Sequence, residues 1–178
     1  AMLYKAKGVY HISGKDIELS YNGKEGLYLV PGDATLERIK INKNGGHGLF
    51  GYGVIKINGT ENQIRENQGS GIAGGGGEFS IDGAEIVKNK GAGLLSSSSN
   101  ISINVNGTTP INPNYVTRID SNGSGIFAKL VDISGYNLSV SNNGYQNENI
   151  SPFAAILGNK LTLENVKVVN NKSEGIHG

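Results

Sequence analysis

The sequence has no cysteine, no tryptophan and one methionine in 178 residues. Absence of cysteine rules out a disulfide framework and fits a secreted protein as readily as a cytosolic one. Aromatic residues make up only 7%, too few for the core of a conventional large globular domain. The formal net charge is +1, so there is no electrostatic case for a nucleic-acid partner. No stretch approaches the roughly 20 apolar residues of a membrane span, and no signal peptide is visible. No run of apolar residues falls at i, i+3, i+4, i+7, so nothing reads as an amphipathic helix.

What is present is repetition. An aliphatic residue stands three before an asparagine, and a small residue followed by an aliphatic comes a few positions later. The unit reads Leu19/Asn22 with Gly26-Leu27, Ile41/Asn44 with Gly48-Leu49, and Ile64/Asn67 with Gly71-Ile72. It continues as Ile86/Asn89 with Gly93-Leu94, Ile119/Asn122 with Gly125-Ile126, Val140/Asn143 with Ala155-Ile156, and Val168/Asn171 with Gly175-Ile176. Successive aliphatics before the Asn lie 22, 23, 22, 33, 21 and 28 residues apart. A period in the low twenties points to a solenoid.

The units contain short alternating runs such as Ile39-Lys-Ile41, Ile55-Lys-Ile57, Phe79-Ser-Ile81 and Leu161-Thr-Leu163. These are β-branched or leucine-rich and bounded by Gly or Asn, which is strand and turn chemistry. A strand-only unit of roughly 22 residues fits one rung of a parallel β-helix. The expectation is therefore all-β: a right-handed parallel β-helix solenoid of about seven rungs, forming a single domain over residues 3–178. Handedness follows from the twist and crossover preference of parallel strands. Leu19, Ile41, Ile64, Ile86, Ile119, Val140 and Val168 are expected to form one interior stack. Leu27, Leu49, Ile72, Leu94, Ile126, Ile156 and Ile176 form the next.

Asn22, Asn44, Asn67, Asn89, Asn122, Asn143 and Asn171 are expected to form a hydrogen-bonded ladder along the axis. Asn tolerates the left-handed conformation of a tight turn, and its side chain both donates and accepts. Glycines after it permit a sharp corner.

In chain order, strand candidates open at Val9–Ile12 and Ile17–Leu19, Pro31-Gly32-Asp33 reads as a turn, and Gly74–Gly77 as a corner. Ser96–Ser99 reads as a loop. Two excesses over the period place loop insertions near 106–115 and 144–152. Extra residues in a repeat become loops on one side, often the binding side, or simply drift at little cost. The opening Ala1-Met2 reads as a cloning remnant, and the chain ends within a unit that nothing after Ile176 can cap. A fragment of a longer repetitive protein is therefore expected.

The repeated pair I/V/L-x-x-N and G-x-G-I/L resembles the passenger domains of type V autotransporters, including polymorphic outer-membrane proteins with FxxN and GGAI repeats. More generally it is similar to the pectate-lyase-like right-handed β-helix superfamily. The resemblance implies a non-catalytic, surface-exposed stalk or adhesin of a secreted bacterial virulence protein, anchored in the outer membrane through another part. Its partners would be a host cell-surface protein or glycan, or neighbouring bacterial chains.

The alternative is a polysaccharide lyase or glycoside hydrolase of the same superfamily. Arg38-Ile39-Lys40 and Gly46-His47-Gly48 match tripeptides of polygalacturonases. However, their order is reversed here, and the NTD and DD motifs that carry the catalytic carboxylates are missing. Glycoside hydrolysis needs two carboxylates across the scissile bond. Asp16, Asp82, Asp120 and Asp132 occupy four different repeat slots, and His11, His47 and His177 are equally scattered. No metal site, cofactor or catalytic residue is therefore expected.

One column suggests binding. The residue after the second interior aliphatic is Tyr28, Phe50, Ala73, Leu95, Phe127, Leu157 and His177 in successive units. If the aliphatic points inward, this column points outward as a partly aromatic stripe. Glycines at 51, 74 and 158 favour a bend that would bury the column instead. Candidate contact residues are Tyr28, Phe50 and Phe127 on the stripe, with Tyr115 and Tyr145 in the insertions.

Overall fold

Alternation in the sequence translates into strands that send every second side chain inward. In a computed structural model the chain coils as a parallel β-helix; the structure describes residues 10–106, 109–110, 112–128, 131–144 and 154–178. Among the described residues every regular element is a strand. The first rung holds β1 (Tyr10–Lys15), β2 (Glu18–Ser20) and β3 (Leu27–Leu29). The second holds β4 (Gly32–Glu37), β5 (Lys40–Asn42) and β6 (Leu49–Tyr52). The third holds β7 (Ile55–Asn58), β8 (Asn62–Arg65) and β9 (Ile72–Gly75), and the fourth β10 (Glu78–Ile81), β11 (Ala84–Val87) and β12 (Ala92–Ser96). The fifth begins with β13 (Asn100–Ile103), carries β14 (Val105–Asn106) and β15 (Thr109–Pro110), and ends with β16 (Thr117–Asp120) and β17 (Ser124–Ala128). The sixth is β18 (Asp132–Ser141) and β19 (Ala154–Leu157); the last is β20 (Lys160–Val169) and β21 (Glu174–His177).

Three faces result. The first runs β1-β4-β7-β10-β13 into the front half of β18, and the second runs β2-β5-β8-β11-β16 into its back half. Because β18 and β20 pass round the corner unbroken, hydrogen bonding joins these two faces into one 12-stranded sheet. The third face is a separate 7-stranded sheet, β3-β6-β9-β12-β17-β19-β21.

Parallel register aligns the first interior stack from Leu19 to Val168 without a slip. It aligns the second from Leu27 to Ile176 in the same way. Ile41, Ile64, Ile86, Ile119 and Val140 are fully buried, as are Leu49, Ile72, Leu94, Ile126 and Ile156. Leu19 and Val168, on end rungs, are only partly buried, and Ile176 is 50% exposed. Each interior aliphatic contributes about 1.5–3 kcal/mol by leaving water, and only inner rungs cover both sides of it.

Local readings need correction. Gly32 and Asp33 are strand, not turn: they pair with Tyr10 and His11, which confines the corner to Val30 and Pro31. Gly74 and Gly75 belong to β9, paired with Gly51 and Tyr52, so the corner is Gly76-Gly77. Ser96 ends β12. The opening strands sit at Tyr10–Lys15 and Glu18–Ser20. The first insertion leaves between the first and second faces and includes the short antiparallel pair β14–β15. The second follows the Asn143 corner; beyond Gly144 it lies outside the described residues.

Candidate functional site: an aromatic groove on the third face

The asparagines define the corner that leads into the third face. Asn67 donates from its backbone N–H (3.1 Å) and from Nδ2 (2.9 Å) to Oδ1 of Asn89. The same double contact links Asn22 to Asn44, Asn44 to Asn67, Asn89 to Asn122, Asn122 to Asn143 and Asn143 to Asn171. The second Nδ2 hydrogen reaches back to the carbonyl of the aliphatic residue one rung earlier: Asn67 to Ile41, Asn89 to Ile64, Asn122 to Ile86. This contact explains the fixed spacing of aliphatic and asparagine. Asn44, Asn67, Asn89, Asn122 and Asn143 are buried, whereas Asn22 on the first rung is exposed.

The left-handed residue of this turn is not the asparagine. Positive φ falls on the residue before it in all seven units: Tyr21, Lys43, Glu66, Lys88, Ser121, Asn142 and Asn170. The kink there turns the asparagine inward, where the ladder holds it.

Downstream of the corner, the register stacks Tyr28, Phe50, Ala73, Leu95, Phe127, Leu157 and His177 in one column. The column is outward and not buried by a bend: Tyr28, Phe50, Leu95, Phe127 and Leu157 are half-buried between buried neighbours. The glycines have another cause. A Cβ at Gly158 would come within 2.7 Å of Ile133 Cδ1, and one at Gly74 within 1.7 Å of the Gly51 carbonyl. Gly51, against Ile55 Cδ1, and Gly158 occupy inward slots that are already filled, whereas Gly74 has φ +149° and meets the backbone of the neighbouring strand, so its conformation keeps it glycine.

Tyr28 and Phe50 stack with centroids 5.4 Å apart and planes 13° from parallel. His47 lies on Phe50 at 5.6 Å, and Tyr52 meets it edge-on at 5.5 Å. The next rung has only the methyl of Ala73 at this position. A groove of about 410 Å³ opens there. Phe50, Tyr52 and His47 wall one side, Leu95 and Phe127 the other, and Ala73 and Gly74 make the floor. Phe50 and Leu95 stand two rung spacings apart, about 9.6 Å.

Among the described residues no Asp, Glu, Lys or Arg lines the groove. His47 Nδ1 accepts a hydrogen bond from the Ser70 N–H at 2.9 Å. Burial holds the imidazole below its ordinary pKa, with Glu25 opposing. The neutral tautomer thus carries its proton on Nε2. Ser97, on the same rim, donates to the Gly74 carbonyl at 3.2 Å.

Of the remaining candidates, Tyr115 is half-buried in the first insertion, its N–H bonded to the Asn112 carbonyl at 3.0 Å, and is not part of the groove. Tyr145 lies outside the described residues. Arg38 and His47 do not meet: Arg38 sits at the corner of the first two faces, bound through two nitrogens to Asp16 at 2.7 Å each. That pairing lowers the pKa of the Asp16 carboxyl. Asp120 closes β16 on the second face and Asp132 opens β18 on the first. Among the described residues, no group of three or more His, Cys, Asp or Glu could hold a metal.

Sequence reasoning missed Ala73 as the floor and Tyr52 and His47 as walls. Tyr52 follows Phe50 by two residues, the outward parity of a strand, and that was its signal. It also missed a buried polar cluster at the first corner. Asn62 Oδ1 accepts from the Ile39 N–H and Asn104 Oδ1 from the Gly83 N–H, and Thr117 Oγ1 donates to Asn104. Asp82 lies beside it, 4% exposed, with Oδ1 unpaired among the described residues.

The family described as "Right handed beta helix region" matches residues 6–127. No curated protein and no solved structure matches the chain.

Proposed function

Because the chain belongs to the right-handed β-helix family, we propose that it is a non-catalytic, surface-exposed stretch of a secreted bacterial protein, an adhesin-like stalk that attaches cells to a host or to one another. The observation that carries this reading is the outward aromatic column of the third face, open at Ala73 and, among the described residues, bare of carboxylates. A stalk needs a rigid scaffold with a contact surface displayed along it. The fully bonded asparagine ladder supports the scaffold, and exposed aromatics on a regular sheet suit contact with a partner. A hydrolase needs two carboxylates facing one bond. The aspartates here are spread along the solenoid: Asp16 and Asp82 share the first corner but stand three rungs apart, Asp120 is on the second face and Asp132 on the first.

Beads coated with the chain should adhere to bacterial or host cells above beads coated with albumin. Equal adhesion would end the attachment reading. Release of reducing sugar from a polysaccharide panel, with or without calcium, would favour the enzyme instead.

A further inference from the structure

We infer that the slot above Ala73 is a binding site for one uncharged hexopyranose ring, which names the ligand class of the contact surface and rests on the attachment reading for its role. The aromatic column is interrupted at one rung. Tyr28 backs Phe50 on one side, His47, held by the Ser70 N–H of the next rung, lies nearly parallel to it at 5.6 Å, and the Ala73 rung separates Phe50 from Leu95. The strands that carry Phe50 and Leu95 are two rung spacings apart, about 9.6 Å, with only the Ala73 methyl between them in the column.

A pyranose has apolar C–H faces and a polar edge, and the slot has the complementary pattern. Phe50, Leu95 and Phe127 offer apolar faces, while His47, Tyr52 and Ser97 place donors and acceptors around the opening. With Nδ1 engaged by the Ser70 N–H, the His47 Nε2–H is free to donate to a sugar hydroxyl. An aromatic side chain from a partner would fill the gap but leave these groups unpaired beneath it, which costs free energy.

Charge narrows the class further. Among the described residues no cation lines the slot, so the carboxylate of a uronic or sialic acid would lose hydration without gaining a partner from them. A neutral hexose brings no such charge.

The test is titration of the chain with methyl glucoside, methyl galactoside, methyl mannoside and galacturonic acid, followed by saturation-transfer NMR and calorimetry. At least one neutral glycoside should bind, and galacturonic acid should bind at least tenfold more weakly. Ala73→Phe, which continues the column with a residue it already holds at Phe50 and Phe127, should reduce binding more than tenfold. Should that variant not fold, Phe50→Leu removes the ring face without filling the slot and should weaken binding about tenfold. No binding by the parent chain, undiminished binding in a folded Ala73→Phe, or preference for galacturonic acid would overturn the inference. Bead adhesion without sugar binding would overturn this site and leave the attachment reading standing. Sugar binding without bead adhesion would do the reverse.

Discussion

Asn89 Oδ1 accepts two hydrogen bonds from one residue, Asn67: the backbone N–H at 3.1 Å and Nδ2 at 2.9 Å. Both partners are fully buried, so no water replaces either bond. Asn89 also donates to Asn122 and to the Ile64 carbonyl. Asn89→Ala orphans groups on both neighbouring rungs, each worth about 1–3 kcal/mol. Urea denaturation should show a loss of about 3–5 kcal/mol. Asn22→Ala, on the exposed first rung, should cost under about 1 kcal/mol. Equal losses at the two positions would mean that the ladder is not what stabilises the inner rungs.

The interior stacks predict a similar gradient. Ile72 is fully buried and Ile176 is 50% exposed, although both belong to one column. Ile72→Ala should cost about 2–5 kcal/mol through lost transfer energy and the cavity left behind. Ile176→Ala should shift the denaturant midpoint little. A negligible effect of Ile72→Ala would place the column outside the core.

Those stacks and the asparagine period were legible because each depends on a side chain that meets its own equivalent one rung away, so selection for the contact writes a repeat. Features made once leave no repeat. The cluster of Asn62, Asn104 and Thr117 replaces apolar residues at one corner over a few rungs only. The groove exists because one residue, Ala73, is small. The outward column was hidden for a different reason: glycine at 51, 74 and 158 signals a bend as readily as a crowded position, and only the packing of Ile55 against Gly51, of Ile133 against Gly158 and of the Gly51 backbone against Gly74 separates the two. The left-handed position was hidden because Tyr, Lys, Glu and Ser occupy it as well as Asn.

A buried carboxyl and a half-buried imidazole give stability opposite dependences on pH. Burial raises the Asp82 carboxyl from its ordinary 3.8 to about 6, with a hydrogen bond from the Asn104 backbone opposing. The folded state therefore holds this proton more tightly than the unfolded chain. Asp82 favours folding below pH 3.8, and that contribution is lost as pH rises through about 6. The gap corresponds to up to about 3 kcal/mol at 1.36 kcal/mol per pH unit. His47 is lowered by burial, so its unfolded form binds the extra proton and stability falls as pH drops through 6.5 toward its folded value. Asp82→Asn should raise stability at pH 8 by up to about 3 kcal/mol and change it little at pH 4. In His47→Leu the acid-side decline near pH 6 should shrink. Melting curves across pH 4–8 check both; an Asp82→Asn gain that is the same at pH 4 and pH 8 would show that the carboxyl does not titrate in this way.

The turn before each ladder asparagine makes the last prediction. Lys88 has φ +58° and stands exposed before Asn89. A left-handed conformation costs most residues roughly 1–2 kcal/mol, and Asn is among the few that visit it routinely. The sixth and seventh rungs already have Asn there, at Asn142 and Asn170. Lys88→Asn should therefore stabilise the chain by about 0.5–1 kcal/mol with no change in any buried contact. A β-branched residue is worst placed for positive φ, so Lys88→Val should cost about 1 kcal/mol or more. The backbone N–H of Lys88 keeps its bond to the Asp120 carbonyl in either variant, which leaves the dihedral preference as the difference between them. Denaturant midpoints for the two should thus move in opposite directions from the parent. If Lys88→Val matches Lys88→Asn, the turn carries no strain at this position, and the kink that seats the ladder is set by the asparagine stack alone.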